Sequence, residues 1–202
     1  MPTGVPIPDI RAQLLDAAER VLLQGGPARL TSRAVTTEAD VAKGILHRYF
    51  PDFDACLAAV ALRHIERLDA QSVELRASAG TGALDQNLAS ALAGALTPAA
   101  TLIISLVCCR RSLLERLRLT TPTGMPLLAE TTRMIASYLT AERGLGRIAV
   151  AADVDTLAVM LVGGAYLLTA PDDGALEHHL HHFVRPALQS IALQIPSRTA
   201  QT

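Results

Sequence analysis

The sequence predicts an all-α protein, and three observations carry that prediction. Apolar residues recur at three- and four-residue spacing along most of the 202-residue chain. Strand signals are nearly absent: aromatics make up 3%, there is no Trp, and no alternating β-branched run is bounded by an Asn-Gly or Asp-Gly turn. Glycine and proline then punctuate the chain at Gly25-Gly26-Pro27, Pro51, Gly80-Thr81-Gly82, Pro98, Thr120 to Pro126, Gly144 to Gly146, Pro171 to Gly174 and Pro196. The segments between these breaks have helix length, eight to nine of them.

The elements follow in order. A first helix, from about Pro8 to Leu23, carries Ile10, Leu14, Leu15, Ala18, Val21 and Leu22 on one face, and Gly25-Gly26 ends it. Thr31 is an N-cap for a short helix over Ser32 to Glu38. A tight turn at Ala39-Asp40-Val41 leads to a third short helix, Ala42 to Tyr49, which stops before Pro51. Asp52 or Asp54 caps a long fourth helix reaching about Ala77. Later helices are longer and more apolar. Two near the end run over about 153–169 and 175–193, and Pro186 is expected to kink the second. The pattern divides the chain into a domain at 8–52, with a motif at 31–50, and a helical domain at 53–196.

Composition excludes several classes. Half of the chain is apolar and 18% is charged, which rules out disorder and suffices for a core. The net charge of −1 does not by itself advertise nucleic acid, an anionic membrane or an acidic substrate. Three cysteines, with Cys108 and Cys109 adjacent, make no disulfide framework. They are expected as reduced thiols, behaving as small buried apolar residues. The longest apolar run, Leu157 to Ala170, is short of the ~20 residues that span a bilayer. Met1 to Pro8 contain three prolines and no basic region, so no signal peptide is expected. These features predict a cytoplasmic protein without a membrane partner.

Residues 30 to 50 read LTSRAVTTEADVAKGILHRYF. Two short helices joined by a tight turn, with a supporting helix ahead of them, have the layout of a helix-turn-helix. The second helix must present small and polar side chains to a groove about 12 Å wide. Ala42, Lys43, Gly44, Ile45, His47 and Arg48 supply that surface, while Ala34, Val35, Val41 and Leu46 face the other way. Residues 1 to 55 hold six basic and seven acidic side chains, so affinity must come from the placement of few charges and from dimerisation.

The stretch from Arg11 to Leu57 resembles the DNA-binding domain of the TetR family of bacterial transcriptional regulators. The likeness rests on Leu14-Leu15-Asp16-Ala17-Ala18, Gly26, Leu30-Thr31, Arg33-Ala34-Val35, Glu38-Ala39, Val41-Ala42-Lys43-Gly44, Leu46, Tyr49-Phe50-Pro51 and Ala55. Phe53 departs from it, standing where the family often carries a Lys that donates a hydrogen bond to a DNA phosphate. The resemblance implies that Thr31, Lys43 and Tyr49 bind phosphates and set register. Arg33 reaches a phosphate or a guanine edge, Ile45 packs on a thymine methyl, and His47 or Arg48 donates to a base or phosphate. Gly44 lets the backbone come close, and Ala42 belongs to the same outward surface. Leu46, Tyr49 and Phe50 also have the character of core residues.

The resemblance further implies a C-terminal domain that binds a ligand and dimerises. A pocket between the middle helices would be lined by Leu102, Leu106, Leu113, Met134, Tyr138, Met160 and Tyr166, with an apolar or amphipathic small-molecule effector expected from their composition. The last two long helices would pair with those of a second copy through Leu157, Leu161, Gly164, Leu168, His178, His182 and Leu188. His178 and His182 share a helical face, which is a metal-capable spacing. No nearby partner ligand is evident, so they read as solvated or interface histidines. No metal or organic cofactor is expected. No catalytic arrangement of Ser, His and Asp, no phosphate loop and no HExxH appears, so the protein is not expected to be an enzyme. The functional expectation is a homodimeric repressor, bound to a palindromic double-stranded DNA operator in the bacterial nucleoid and released by its effector. The alternative is a helical binding or structural protein that has lost DNA affinity.

Overall fold

The computed structural model describes residues 9–120, 124–169 and 176–192. The Met1 to Pro8 segment, the break at Pro171 to Gly174 with Asp172-Asp173, and the stop at Pro196 lie outside the described residues. Among the described residues every regular element is helical: α1 (Ile10–Arg29), α2 (Ser32–Glu38), a 3₁₀ turn (Lys43–Ile45) running into α3 (Leu46–Tyr49), α4 (Phe53–Ala77), α5 (Leu84–Ala95), α6 (Pro98–Cys109), α7 (Arg111–Leu117), α8 (Pro126–Gly144), α9 (Val154–Leu167) and α10 (Leu176–Ala192). They pack as two compact units, one of residues up to 64 with 98–126, the other of 65–97 with residues from 127 onward. The division falls inside α4 rather than at residue 53, and α6 and α7 join the first unit.

In the first unit, α1 starts where Asp9 accepts the Ala12 N–H at 3.1 Å. Its helical run breaks at Gly26, whose φ of 66° only glycine adopts freely, so residues 27–29 form a separate turn. The apolar face named above is the buried one: Leu14 and Leu22 are fully enclosed, with Leu15, Ala18 and Val21 beside them. Helix α1 packs on α2 and α6. Burying a leucine or valine such as Leu14, Leu22, Leu30, Val35 or Leu46 contributes roughly 1.5–3 kcal/mol each. Polar ties orient the helices. Arg63 on α4 donates to Asp16 at 2.5 Å and Glu19 at 2.6 Å on α1, and Arg20 pairs with Glu38 on α2 at 2.7 Å.

In the second unit, α10 packs against α5 and α9. Leu88 and Leu92 of α5, Leu161 of α9, and Leu180 and Val184 of α10 are completely buried. Gly164 lets the Phe183 ring of α10 lie directly on the backbone of α9, where any Cβ would overlap the ring. Glu142, also completely buried, accepts from Arg147 at 3.1 Å and from the Gly80 N–H at 3.3 Å. Arg147 donates in turn to the Gly82 carbonyl at 2.7 Å, so one ion pair pins the α4–α5 loop to the end of α8. Pro186 lies within α10, where it withholds a helical N–H from the His182 carbonyl.

Candidate nucleic-acid interface

The motif is held from behind by its apolar residues. Val35 and Leu46 are fully buried and Phe50 nearly so, while Ala34 and Val41 are half-buried. The Thr31 hydroxyl oxygen accepts the Ala34 N–H at 3.1 Å and caps α2 as its position predicts. The hydroxyl proton stays available to an incoming acceptor. Helix α2 closes on Ala39, and Asp40 makes the turn with a φ of 51°. Aspartate is among the few residues beyond glycine that tolerate this left-handed backbone. The Val41 N–H then bonds to the Thr36 carbonyl at 3.0 Å and sets the direction of the next segment.

That segment opens as a 3₁₀ turn rather than the single α-helix expected over 42–49. Ala42 offers no side-chain cap, so its first turn tightens. Ala42, Lys43, Gly44, His47, Arg48 and Tyr49 are exposed on it and Ile45 is half-exposed. Tyr49 is 44% exposed, so it is no core residue; Leu46 and Phe50 take that role. Gly44 has a negative φ, and nothing lies within 4 Å of where its Cβ would be. Neither the chain's conformation nor its packing calls for glycine there.

Charge placement resolves the unpromising total. Among the described residues, Arg33, Lys43 and Arg48 have no ion-pair partner. The carboxylates of the same unit are largely engaged: Asp16 and Glu19 by Arg63, Glu38 by Arg20, Asp54 by Arg110 at 3.1 Å and Asp52 by Arg116 at 2.8 Å. Arg33, Lys43 and Arg48 therefore place uncompensated positive charge on the motif, and Arg11, Arg29 and Arg118 of the same unit likewise have no ion-pair partner among the described residues. An open cleft of about 690 Å³ lies beside it, lined by Arg29, Thr31, Arg33, Thr37 and Glu38 among others.

Helix α4 begins where Asp52 accepts the Ala55 N–H at 2.7 Å. That bond, followed by Arg116, holds the Asp52 carboxyl below the usual aspartate range. Phe53 cannot donate to a phosphate, but the Arg110 guanidinium stands over its ring, 5.8 Å from the centroid. Sequence reasoning missed this cation because it arrives from 57 positions along the chain. Cys56, one turn inside α4, is fully buried, and burial pushes its thiol up to about 11.

The residues proposed for a ligand pocket do not gather in one unit. Leu102, Leu106 and Leu113 belong to the first, with Leu106 and Leu113 buried. Met134, Tyr138, Met160 and Tyr166 belong to the second. Met134 and Tyr138 are buried there, and the Tyr138 hydroxyl accepts from Asn87 at 2.9 Å. Burial raises the Tyr138 phenol to about 12. Met160 is 62% exposed and lines no interior. A cleft of about 280 Å³ in the second unit is lined instead by Gln71, Glu74, Leu75, Ser78, Asn87, Ser90, Ala91 and Gly94.

Of the residues expected at an interface between copies, three are enclosed by the chain itself. Leu157 and Leu161 are buried in the chain's own core, and Gly164 is covered by Phe183 of the same chain. Leu168 and Leu188 are half-buried, and His178 and His182 are exposed with their rings edge-on at 4.5 Å. No group of three or more metal-ligating side chains occurs among the described residues. The outward face of α9 carries Val159, Met160, Gly163 and Leu167.

Comparison with known proteins agrees with this geometry. Residues 14–60 match the family model of the bacterial regulatory proteins of the tetR family. The chain is 38% identical over 71 residues to the HTH-type transcriptional repressor KstR of Mycolicibacterium smegmatis, and 39% identical over 61 residues to that of Rhodococcus jostii. These matches take in 35% and 30% of the chain and 35% and 29% of the relatives, so they span about a third of either. The fold is shared more widely. Salmonella enterica GusR superposes with a TM-score of 0.66 at 15% identity, over 93% of this chain and 100% of that one. A TetR transcription regulator from Haloarcula marismortui superposes with a TM-score of 0.68 at 16% identity, over 91% and 98%. No single described helix is long and apolar enough to cross a membrane. Residues 14–60 are thus similar to the tetR family of bacterial regulatory proteins in sequence, and the fold over most of the chain is that of these solved structures.

Proposed function

We propose that the chain is a transcriptional repressor that binds duplex DNA through residues 31–50 and is released by a small molecule. The carrying observation is the exposed, unpaired set of Arg33, Lys43 and Arg48 around Gly44, a glycine that the fold itself does not require. Lys43, Thr31 and Tyr49 would hold phosphates, and Ile45, His47 and Arg48 would read base edges. Arg33 would take a phosphate beside the cleft, and Ala42 keeps the approach free of bulk. The KstR relatives, named as repressors, support the direction of regulation.

Two copies would bind a palindrome with recognition segments about 34–36 Å apart. The outward face of α9 suits that pairing: Val159, Met160 and Leu167 are each more than 60% exposed, and Gly163 between them admits a close neighbour. The effector would be apolar or amphipathic, in keeping with the scarcity of polar residues in the helices after residue 55. Such a protein works in the cytoplasm at the nucleoid.

Fluorescence anisotropy on the DNA upstream of the chain's own gene, at two salt concentrations, tests the reading. Tight, sequence-dependent and salt-sensitive binding is the expected result. Failure to bind any duplex at low salt would leave the helical binding protein without DNA affinity as the better account.

A further inference from the structure

Cys108 and Cys109 close helix α6, and both are exposed. The expectation that they are buried apolar residues fails for a geometric reason: α6 turns its Ile103, Ile104, Leu106 and Val107 inward, and its last two side chains pass beyond the core. Two adjacent thiols at the surface serve no packing purpose. We propose that Cys108 and Cys109 form a bis-thiol site that captures a trivalent arsenical.

The donor set selects this ligand class. Thiol sulfur is a soft donor and prefers soft centres. A zinc site needs three or four protein ligands, and among the described residues no group of three such side chains occurs. Trivalent arsenic that keeps one organic substituent needs only two more donors. For an arsenic oxide the step is balanced without redox change. The two S–H bonds and the As–O double bond break, two As–S bonds form, and both protons leave with the oxygen as water.

The backbone at the pair is built to yield. Consecutive side chains on a helix diverge by about 100°, so bridging both sulfurs must loosen the last turn of α6. That turn is weakly held: the Arg110 N–H reaches the Val107 carbonyl at 3.4 Å, and Arg110 itself is extended, with φ −122° and ψ 96°. Arg110 is also the residue that grips the first turn of α4, through Asp54 at 3.1 Å and the Phe53 ring. Ser112 adds a bond to Asp54 at 2.6 Å. Capture of the ligand therefore pulls on the segment that follows the recognition residues. This coupling, unlike the site itself, rests on the DNA-binding reading above.

The test uses phenylarsine oxide on the full chain. Intact mass and free-thiol counting should show one phenylarsenic group per chain, with both exposed thiols consumed and buried Cys56 untouched. The adduct should resist excess glutathione and reverse with dithiothreitol. Cys108→Ser or Cys109→Ser should each make it glutathione-labile, and Cys56→Ser should change nothing. Two independent adducts per chain, or an unaltered adduct in either surface variant, would overturn the site. Hydrogen exchange at the amides of 53–57 should rise on loading, and DNA affinity should change roughly 5- to 150-fold. Unchanged exchange and unchanged DNA affinity would overturn the coupling and leave the site. A chain that captures the arsenical but binds no duplex in its free form would refute the DNA-binding reading alone.

Discussion

Gln13 donates from its side-chain amide to the backbone carbonyl of Ala39 at 2.7 Å. The bond joins α1 to the turn between α2 and the recognition segment, across 26 positions of sequence. It satisfies a carbonyl of a buried residue at the end of α2. Gln13→Ala should cost about 1 kcal/mol in urea denaturation with an unchanged m-value. It should also weaken DNA binding, because the turn then loses its tether. Wild-type stability in the variant would show that the bond is dispensable.

Lys43 is the chain's only lysine and is exposed on the recognition segment. Lys43→Ala should reduce the salt dependence of DNA binding by ~0.9 for each phosphate that the ammonium neutralises. Affinity should fall by a similar factor for specific and unrelated sequences. An unchanged slope would show that Lys43 neutralises no phosphate.

Glu142 is wholly buried, and its Oε2 atom has no hydrogen-bond partner among the described residues. Arg147 is its counter-charge. Arg147→Ala should destabilise by about 3 kcal/mol, since it strands a buried carboxylate. Glu142→Gln in the same background should recover part of that loss. Thermal unfolding of the single and double variants checks this, and strict additivity would argue against the pair.

Gly164 faces Phe183 of its own chain. Gly164→Ala should destabilise by about 1–3 kcal/mol through overpacking, and Phe183→Leu should relieve it. Met160→Glu should instead leave folding nearly unchanged and abolish a dimer formed through the outer face of α9. Sedimentation analysis separates the two effects.

Asp85 accepts from Arg185 at 2.9 Å, and that bond holds its carboxyl below the ordinary aspartate value of 3.8. A depressed folded value stabilises above the unfolded one, and the contribution disappears as pH falls through the folded one. Stability should thus decline on acidification below about pH 4. Asp85→Asn should flatten that limb and leave its shape near neutral pH unaltered. An identical acid limb would exclude Asp85 as a contributor.

Local chemistry alone determined much of this protein. The apolar spacing of α1, the Thr31 cap, the break at Gly26 and the stop before Pro51 each follow from nearest neighbours in sequence, so the helices and the motif at 31–50 are legible in one dimension. The exposed face of residues 42–49 is legible too, because its polar side chains stand between the apolar Val41, Leu46 and Phe50 that turn to the core. Only tertiary packing decided the rest. Helix α9 is apolar on nearly every side, so periodicity cannot tell that Leu157 and Leu161 turn inward while Met160 and Leu167 turn outward; its neighbours α10 and Phe183 make that choice. The same holds for Arg110 over Phe53 and for the exposed thiols beside it. Which side of a helix is covered depends on what folds against it, and that partner is distant in the chain.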